Sequence, residues 1–149
     1  MRNRSRALDR RARRSAIIAR MTLTIFRNMS GDFGHRNLAA CVPDLLISMT
    51  IRDNDESGLP PISLSEISRM TGISRRTVGR RIDRLEERGA FIHEMDTGAY
   101  GNDAYLEARL HAKFFMIILQ AIAEGAEALR KIDEEEAAEE TAANETAGK

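Results

Sequence analysis

The sequence lacks several features on which whole classes of function depend. Cys41 is the single cysteine among 149 residues, so the chain can form no internal disulfide and no cysteine-rich zinc site. No apolar run approaches the roughly 18–20 residues that span a bilayer. No glycine-rich phosphate loop, nucleophile elbow or paired-carboxylate motif occurs, and His35, His93 and His111 are scattered. We therefore expect a cytoplasmic protein that is not an enzyme and uses no cofactor, metal or membrane.

The chain also has no net charge, but its charges are unevenly placed. Residues 1–20 hold eight arginines against Asp9, a net of +7, whereas residues 133–149 hold seven acids against Lys149, a net of −6. Arginine supplies 20 of the 23 basic residues, which suits forked contacts to phosphates and bases, although a GC-rich genome would produce the same bias. The pattern predicts a start that faces a polyanion and a disordered acidic tail over residues 134–149.

Both ends of the chain carry helical apolar stripes. The arginine-rich start has the composition of an organelle transit peptide, but its stripe continues without interruption to Met29 and favours a helix over about residues 5–30. A second stripe predicts a long helix from Ala108 to about Ile132 that is apolar on more than one face. Such a helix needs extra partners, so we expect it to pair with the N-terminal helix of a second subunit. The alternative is a helical pair within one chain.

Between these ends, the sequence predicts a helix, a loop and a capped helix. The first helix covers about residues 37–51, with its regular part beginning near Pro43, and residues 52–61 form the loop. Ser63 then opens a short helix in a Ser-x-x-Glu capping box, with Ile67 and Met70 on its buried side. Gly72 is expected to end that helix in a left-handed turn.

Residues 74–89 predict a basic helix directly after this turn, with Ser74 as its N-cap. Two helices joined by a turn with glycine form a helix-turn-helix, whose second helix enters the major groove of DNA. With Val78, Ile82 and Leu85 turned inward, steps of about 100° per residue place Arg76 and Arg80 outward. The alternative is a merely solvated charged helix.

A small β-hairpin is expected after the basic helix. Residues 91–95 predict one strand, residues 100–106 contain another, and the glycine-rich segment 96–103 connects them. The isolated Ile62 is expected to add a third short strand. His93 on the first strand is interpreted as structural.

The stretch ISLSEISRMTGISRRTVGRRIDRLEERGAFI, residues 62–92, resembles the winged helix-turn-helix of bacterial regulators, most closely the MarR-like group (multiple-antibiotic-resistance regulator type). The resemblance covers about residues 40–108 and implies a homodimer formed by the first and last helices. Wings of that group usually carry an arginine after an aspartate near the tip, whereas Asp96 here is followed by T-G-A-Y-G-N. Some members sense oxidants through a cysteine in an early helix, but we expect Cys41 to be a buried core residue.

Together these patterns predict a mainly α fold with a small β-wing, in which a winged helix-turn-helix is flanked by N- and C-terminal dimerisation helices. The expected segments are 1–36 (basic dimerisation helix), 37–107 (DNA-binding domain), 108–133 (C-terminal dimerisation helix) and 134–149 (tail). The expected function is sequence-specific binding of double-stranded DNA by a homodimeric transcriptional regulator. A plasmid or phage replication or partition factor of the same fold, and a winged-helix module that binds protein, are the alternatives. The sequence leaves open whether a small-molecule effector binds.

The candidate residues fall into two sets. The DNA-binding candidates are Ser74, Arg75, Arg76, Thr77, Gly79, Arg80 and Arg84. The dimerisation candidates are Ile18, Met21, Ile25, Phe115, Ile118, Ile122 and Leu129.

Overall fold

The computed structural model describes residues 5–34 and 37–148. Within these ranges the elements in chain order are α1 (Arg6–Asp32), α2 (Leu38–Glu56), α3 (Leu64–Thr71), α4 (Arg75–Glu87), β1 (Phe91–Glu94), β2 (Gly98–Gly101), α5 (Asp103–Leu110) and α6 (Lys113–Ala147). This order confirms the mainly α fold with a small sheet. Arg2, Arg4 and His35, which entered the predictions above, lie outside the described residues.

The chain divides into two compact units. One contains the described residues up to Ile25 together with those from Ile117 onward, and the other runs from Phe26 to Met116. Helices α1 and α6 each contribute to both units.

The core of the second unit lies among α2, α3, α4 and the two-stranded sheet. Its fully buried large side chains are Leu45, Ile47, Ile51, Ile67, Ile82, Val78 and Cys41. The predicted burial of Ile67 is confirmed, but that of Met70 is wrong, because Met70 is 54% exposed. The inner face of α3 is completed instead by Leu64, which lies one turn before Ile67 and packs against the core.

Helix α2 begins where the sequence predicted, is regular from before Pro43, and ends later than predicted. The side chain of Asn37 accepts a hydrogen bond from the backbone N–H of Ala40, and this cap begins the helix before Pro43, which lies inside it. Pro43 removes a single backbone donor, and the rest of the helix retains its pattern. The predicted loop 52–61 begins only at Ser57, because Asp55 accepts a hydrogen bond from the N–H of Gly101 (2.8 Å) and so holds the last turn against the sheet.

The sheet confirms the first predicted strand and corrects the second. β1 and β2 are antiparallel, with Ile92 opposite Tyr100. β2 ends at Gly101, and most of the segment 100–106 is helical because Asn102 caps α5. The third short strand is reduced to one residue, since Ile62 forms an isolated antiparallel bridge with the fully buried Ala99.

The C-terminal segment differs from prediction in two respects. A break at residues 111–112 separates α5 from α6, so the long helix begins at Lys113 and not near Ala108. Helix α6 also continues through the segment predicted to be disordered. Arginines of α1 form ion pairs with the acids of this segment, and such pairs offset the charge repulsion along the acidic helix.

Helices α1 and α6 pair within the chain, in the manner of the alternative noted above. Met21 packs directly on Gly125, where a Cβ would overlap with the Met21 side chain. Ile118 and Ile132 are buried along the same seam, one heptad on either side of Gly125. The seam that we expected between subunits is therefore occupied within one chain.

Gly98 allows β2 to lie close to the backbone of Ile62. Its φ of +121° disfavours other residues, and a Cβ at this position would overlap with the carbonyl oxygen of Ile62, which accepts the N–H of Ala99. Gly98→Ala should lower the free energy of unfolding by about 3 kcal/mol or more. Gly58→Ala is the control, because Gly58 also has positive φ (+71°) but open space around it, and should cost only about 1 kcal/mol. Equal losses in urea denaturation would contradict the role of the overlap.

Candidate nucleic-acid interface

The turn between α3 and α4 is held by three short-range contacts. The Ser63 hydroxyl accepts the N–H of Glu66 (3.1 Å) and so begins α3, which confirms the predicted cap. Gly72 ends α3 at φ +76°, as predicted. The Ser68 hydroxyl then donates to the carbonyl oxygen of Ile73 (2.6 Å), and Ser74 caps α4. These contacts fix where the basic helix starts.

The inner face of α4 is held against the second unit by apolar and charged contacts. Val78, Ile82 and Leu85 are buried, which confirms the inward stripe. Arg81 also turns inward, where its guanidinium lies 3.5 Å from the carboxylate of Asp44, which is itself buried. Sequence reasoning missed this ion pair, because nothing in the spacing of α2 marks Asp44 as a partner of Arg81.

Arg88 holds the C-terminal end of α4. Its guanidinium donates to the backbone carbonyl oxygens of Phe33 and of Asp32 (2.6 Å), at the end of α1. The Asp32 carboxylate also pairs with Arg109 of α5 at 3.0 Å. Two of the six arginines in residues 74–89 are therefore structural.

The other four arginines lie on the exposed side of α4, as predicted. The side chains of Arg75, Arg76 and Arg84 have no hydrogen bond or ion pair with any residue that the structure describes. Arg80 makes a long contact of 3.5 Å to the Thr77 hydroxyl. Most arginines elsewhere in the described chain have a carboxylate partner, so this cluster is left with charge for an external ligand.

The N-terminal half of α4 has the chemistry of an anion site. The Ser74 hydroxyl donates to Thr77 Oγ1 (3.0 Å) and accepts the N–H of Thr77 (3.3 Å), which places two hydroxyls at the helix start. The free N–H groups and the dipole of this end attract phosphate. The outward acids, Asp83 and Glu87, lie on the C-terminal half. The charge therefore favours approach of a polyanion to the first two turns.

Gly79 occupies the flank of α4 that faces α3. A Cβ there would meet only Leu64 Cδ1, at an ordinary contact distance of 3.8 Å. The packing of the described residues therefore does not require glycine at this position, and a role for Gly79 in letting DNA approach α4 closely stays a prediction.

The hairpin has an acidic tip without a basic residue. Met95 at the tip is 94% exposed, between Glu94 and Asp96. Glu94 accepts hydrogen bonds from Thr97 Oγ1 (2.8 Å) and the Tyr100 hydroxyl (2.9 Å), and these bonds lower the pKa of the Glu94 carboxyl. The tip therefore carries negative charge at neutral pH.

Neither of the described histidines nor the cysteine forms a reactive site. His93 is half-buried on β1, and its backbone N–H donates to Glu86 (2.5 Å). No cluster of three or more His, Cys, Asp and Glu side chains in the described ranges could hold a metal ion. No described helix is both long and apolar enough to cross a bilayer.

Cys41 is fully buried in the core of the second unit, as expected. Burial raises the pKa of its thiol, which leaves little of the reactive thiolate at neutral pH.

Cys41→Ser should accordingly leave DNA binding and its response to peroxide unchanged. The buried hydroxyl should lower the free energy of unfolding by about 1–2 kcal/mol. DNA binding with and without peroxide, and urea denaturation, test this. A peroxide-induced release from DNA that disappears in the Ser variant would contradict it and identify a redox sensor.

Comparison with known families gives one match. A family model described as winged helix-turn-helix DNA-binding matches residues 60–90, the segment that holds α3, the turn and α4. This part of the chain is a winged helix-turn-helix. Comparisons with curated proteins and with solved structures give no match.

The winged helix-turn-helix match supports a DNA-binding regulator with double-stranded DNA as its partner. It is general to this type of domain and does not extend to the MarR-like group.

Proposed function

We propose that this protein is a cytoplasmic, homodimeric transcriptional regulator that reads double-stranded DNA with the first two turns of α4 in the major groove. The observation that carries the proposal is the set of arginines on the outer face of α4 without internal partners. A duplex supplies the negative charge that these side chains lack within the described chain. The adjacent positive charges of Arg76 and Arg80 destabilise an isolated helix by about a few tenths of a kcal/mol. A bound polyanion replaces this repulsion with attraction.

Base contacts are assigned to Arg76 and Arg80. A forked guanidinium matches the O6 and N7 acceptors of guanine, and recognition helices contact base edges with their N-terminal residues. Ser74, Thr77 and Arg75 are assigned to phosphates at the helix start, and Arg84 to the backbone further along.

Arg76→Ala and Arg80→Ala should each weaken binding to the cognate site by roughly 1–3 kcal/mol and relax base preference there. The site is first selected from a random duplex pool, and affinities are measured by fluorescence anisotropy. Arg69→Ala is the matched control, because Arg69 is an exposed arginine already paired with Glu66. Arg88→Ala should matter much less for DNA binding but should lower stability, because it removes the contacts to the end of α1.

Equal losses on cognate and scrambled duplexes would contradict base reading and leave Arg76 and Arg80 as phosphate contacts. Loss of binding in Arg69→Ala to the same degree would show that net charge alone decides affinity.

Dimerisation is assigned to a second apolar face on the unit formed by α1 and α6. Around the central contact of Met21 with Gly125, both helices place apolar residues three positions before and four positions after: Ile18 and Ile25 on α1, and Ile122 and Leu129 on α6. Each of these positions lies about 40–60° from the seam in the same rotational sense. Since the two helices run antiparallel, all four side chains lie on one side of the pair.

Exposure supports this assignment. Ile18 is 55% and Ile122 is 40% exposed, and Leu119 on the same side of α6 is 45% exposed. The opposite side of the pair is a groove in which the polar side chains of Arg20, Gln120 and Glu124 lie among apolar ones such as Ile17 and Ile117. A second copy of the chain would bury the apolar side and form a four-helix arrangement around a twofold axis. Phe115, also assigned to dimerisation, is half-buried against Phe114.

Ile122→Glu should make the protein monomeric and abolish cooperative binding to a palindromic site, because the dimer would bury an unpaired charge. Ile117→Glu is the control, since Ile117 has the same 40% exposure on the same helix but lines the groove on the opposite side of the pair, with Arg20 and Glu124. Light scattering at tens of micromolar tests both. A monomeric wild type, or equal dissociation of the two variants, would contradict the assigned face.

The hairpin favours docking to a protein as a second candidate function. Met95 between two acids fits a basic and apolar partner surface better than it fits phosphate. Salt dependence separates the two functions, because binding to random duplex falls steeply with salt when several arginines displace counterions. A duplex affinity that is weak and independent of salt would favour the docking function.

A further inference from the structure

Four arginines of α1 face four acids of α6 within the first unit. These are Arg6, Arg10, Arg13 and Arg14, opposite Asp133, Glu135, Glu136 and Glu139. We call the two sets the arginine row and the acidic row. Arg13 lies 2.5 Å from Glu135, and Arg14 lies 2.6 Å from Glu136 and 2.8 Å from Asp133.

Ion pairing favours the charged forms of two acids in the acidic row, Glu135 and Glu136. The guanidinium groups of Arg13 and Arg14 lower the pKa of the Glu135 and Glu136 carboxyls, mainly through direct hydrogen bonds. The contacts are therefore between full charges, and the acidic row acts as an internal polyanion for α1.

The ion pairs between the rows are weak enough to exchange with another ligand. The acids keep 38–69% of their side chains exposed, and exposed pairs each contribute roughly 0–1 kcal/mol and weaken with salt. The arginine row spans nine residues, and the eight steps between its ends cover about 12 Å. The same length of duplex axis carries about seven phosphate charges, more than the four carboxylates that it would replace.

We propose that the arginine row is a second, sequence-independent surface for duplex DNA, and that the acidic row competes with DNA for it. The proposal rests on the proposed function only in taking duplex DNA as the ligand. In this arrangement, α1 contributes affinity for DNA that does not depend on base sequence. The acidic row of α6 lowers that contribution by competing with DNA. The acidic row then sets how tightly the protein holds DNA away from its cognate site.

The test neutralises part of the acidic row in the full chain. The variant E135Q/E136Q/E139Q removes three charges that face α1. Its matched control, E127Q/E134Q/E140Q, removes three charges from the same helix but leaves the ion pairs of the arginine row in place. Glu127 and Glu134 pair with Arg130 on α6 itself, and Glu140 makes no ion pair with a described residue.

Binding to a random-sequence duplex is measured by anisotropy over a range of salt concentrations, with helix content checked by circular dichroism. E135Q/E136Q/E139Q should bind at least about tenfold more tightly at low salt. The slope of log K against log salt should steepen by about 0.9 for each phosphate gained, or by about 2–3 for three arginines. The control should keep the wild-type slope. Adding R10Q/R13Q/R14Q to the first variant should abolish the gain.

Equal slopes in the two triple variants, with duplex binding by the wild type intact, would overturn the proposal and leave the proposed function standing. A gain that survives R10Q/R13Q/R14Q would also overturn it, because the released affinity would then come from elsewhere. Absence of duplex binding in the wild type and in every variant, at all salt concentrations, would instead refute the proposed function.

Discussion

The burial of one side of α4 is the constraint on which the rest of the DNA-binding unit depends. Val78, Ile82 and Leu85 must leave water together, and a helix that buries three residues at this spacing can present only its opposite side. Arg76 and Arg80 are exposed as a consequence of that burial, and no separate interaction has to hold them outward. The Arg81–Asp44 pair then limits rotation of α4 about its own axis, because turning the helix would leave a buried carboxylate without its cation.

Arginine serves three different purposes in this chain, and the surroundings of each side chain decide which. Arg81 pairs with Asp44 of α2, and Arg88 donates to backbone carbonyls at the end of α1, so both hold α4 in place. The arginine row of α1 is paired with carboxylates that remain in contact with solvent. The arginines on the outer face of α4 are exposed, clustered on one helix face and without an acidic partner among the described residues, and this combination makes that face a candidate binding surface.

The terminal helices illustrate how one apolar stripe can hold two sets of contacts. A helix that is apolar over more than half of its circumference has more surface than one partner can cover. In this chain α1 covers the side of α6 that contains Ile118, Gly125 and Ile132, and leaves Ile122 exposed. The pairing within the chain therefore satisfies only part of the apolar surface that the sequence displays, and the remainder is what a second copy would cover.

The sequence by itself determined the elements whose causes are local. Ser63, Gly72 and Ser74 mark the boundaries of α3 and α4 through caps and a turn that involve only neighbouring residues, and the inward stripe of α4 follows from its spacing alone. Tertiary structure decided what depends on distant partners. Asp55 extends α2 by accepting a hydrogen bond from the N–H of Gly101. Arg13 and Arg14 keep the C-terminal tail helical through ion pairs, although the composition of that tail alone indicates disorder. These outcomes could not be predicted because hydrogen bonds and ion pairs between residues more than 40 positions apart leave no periodic signal in the sequence.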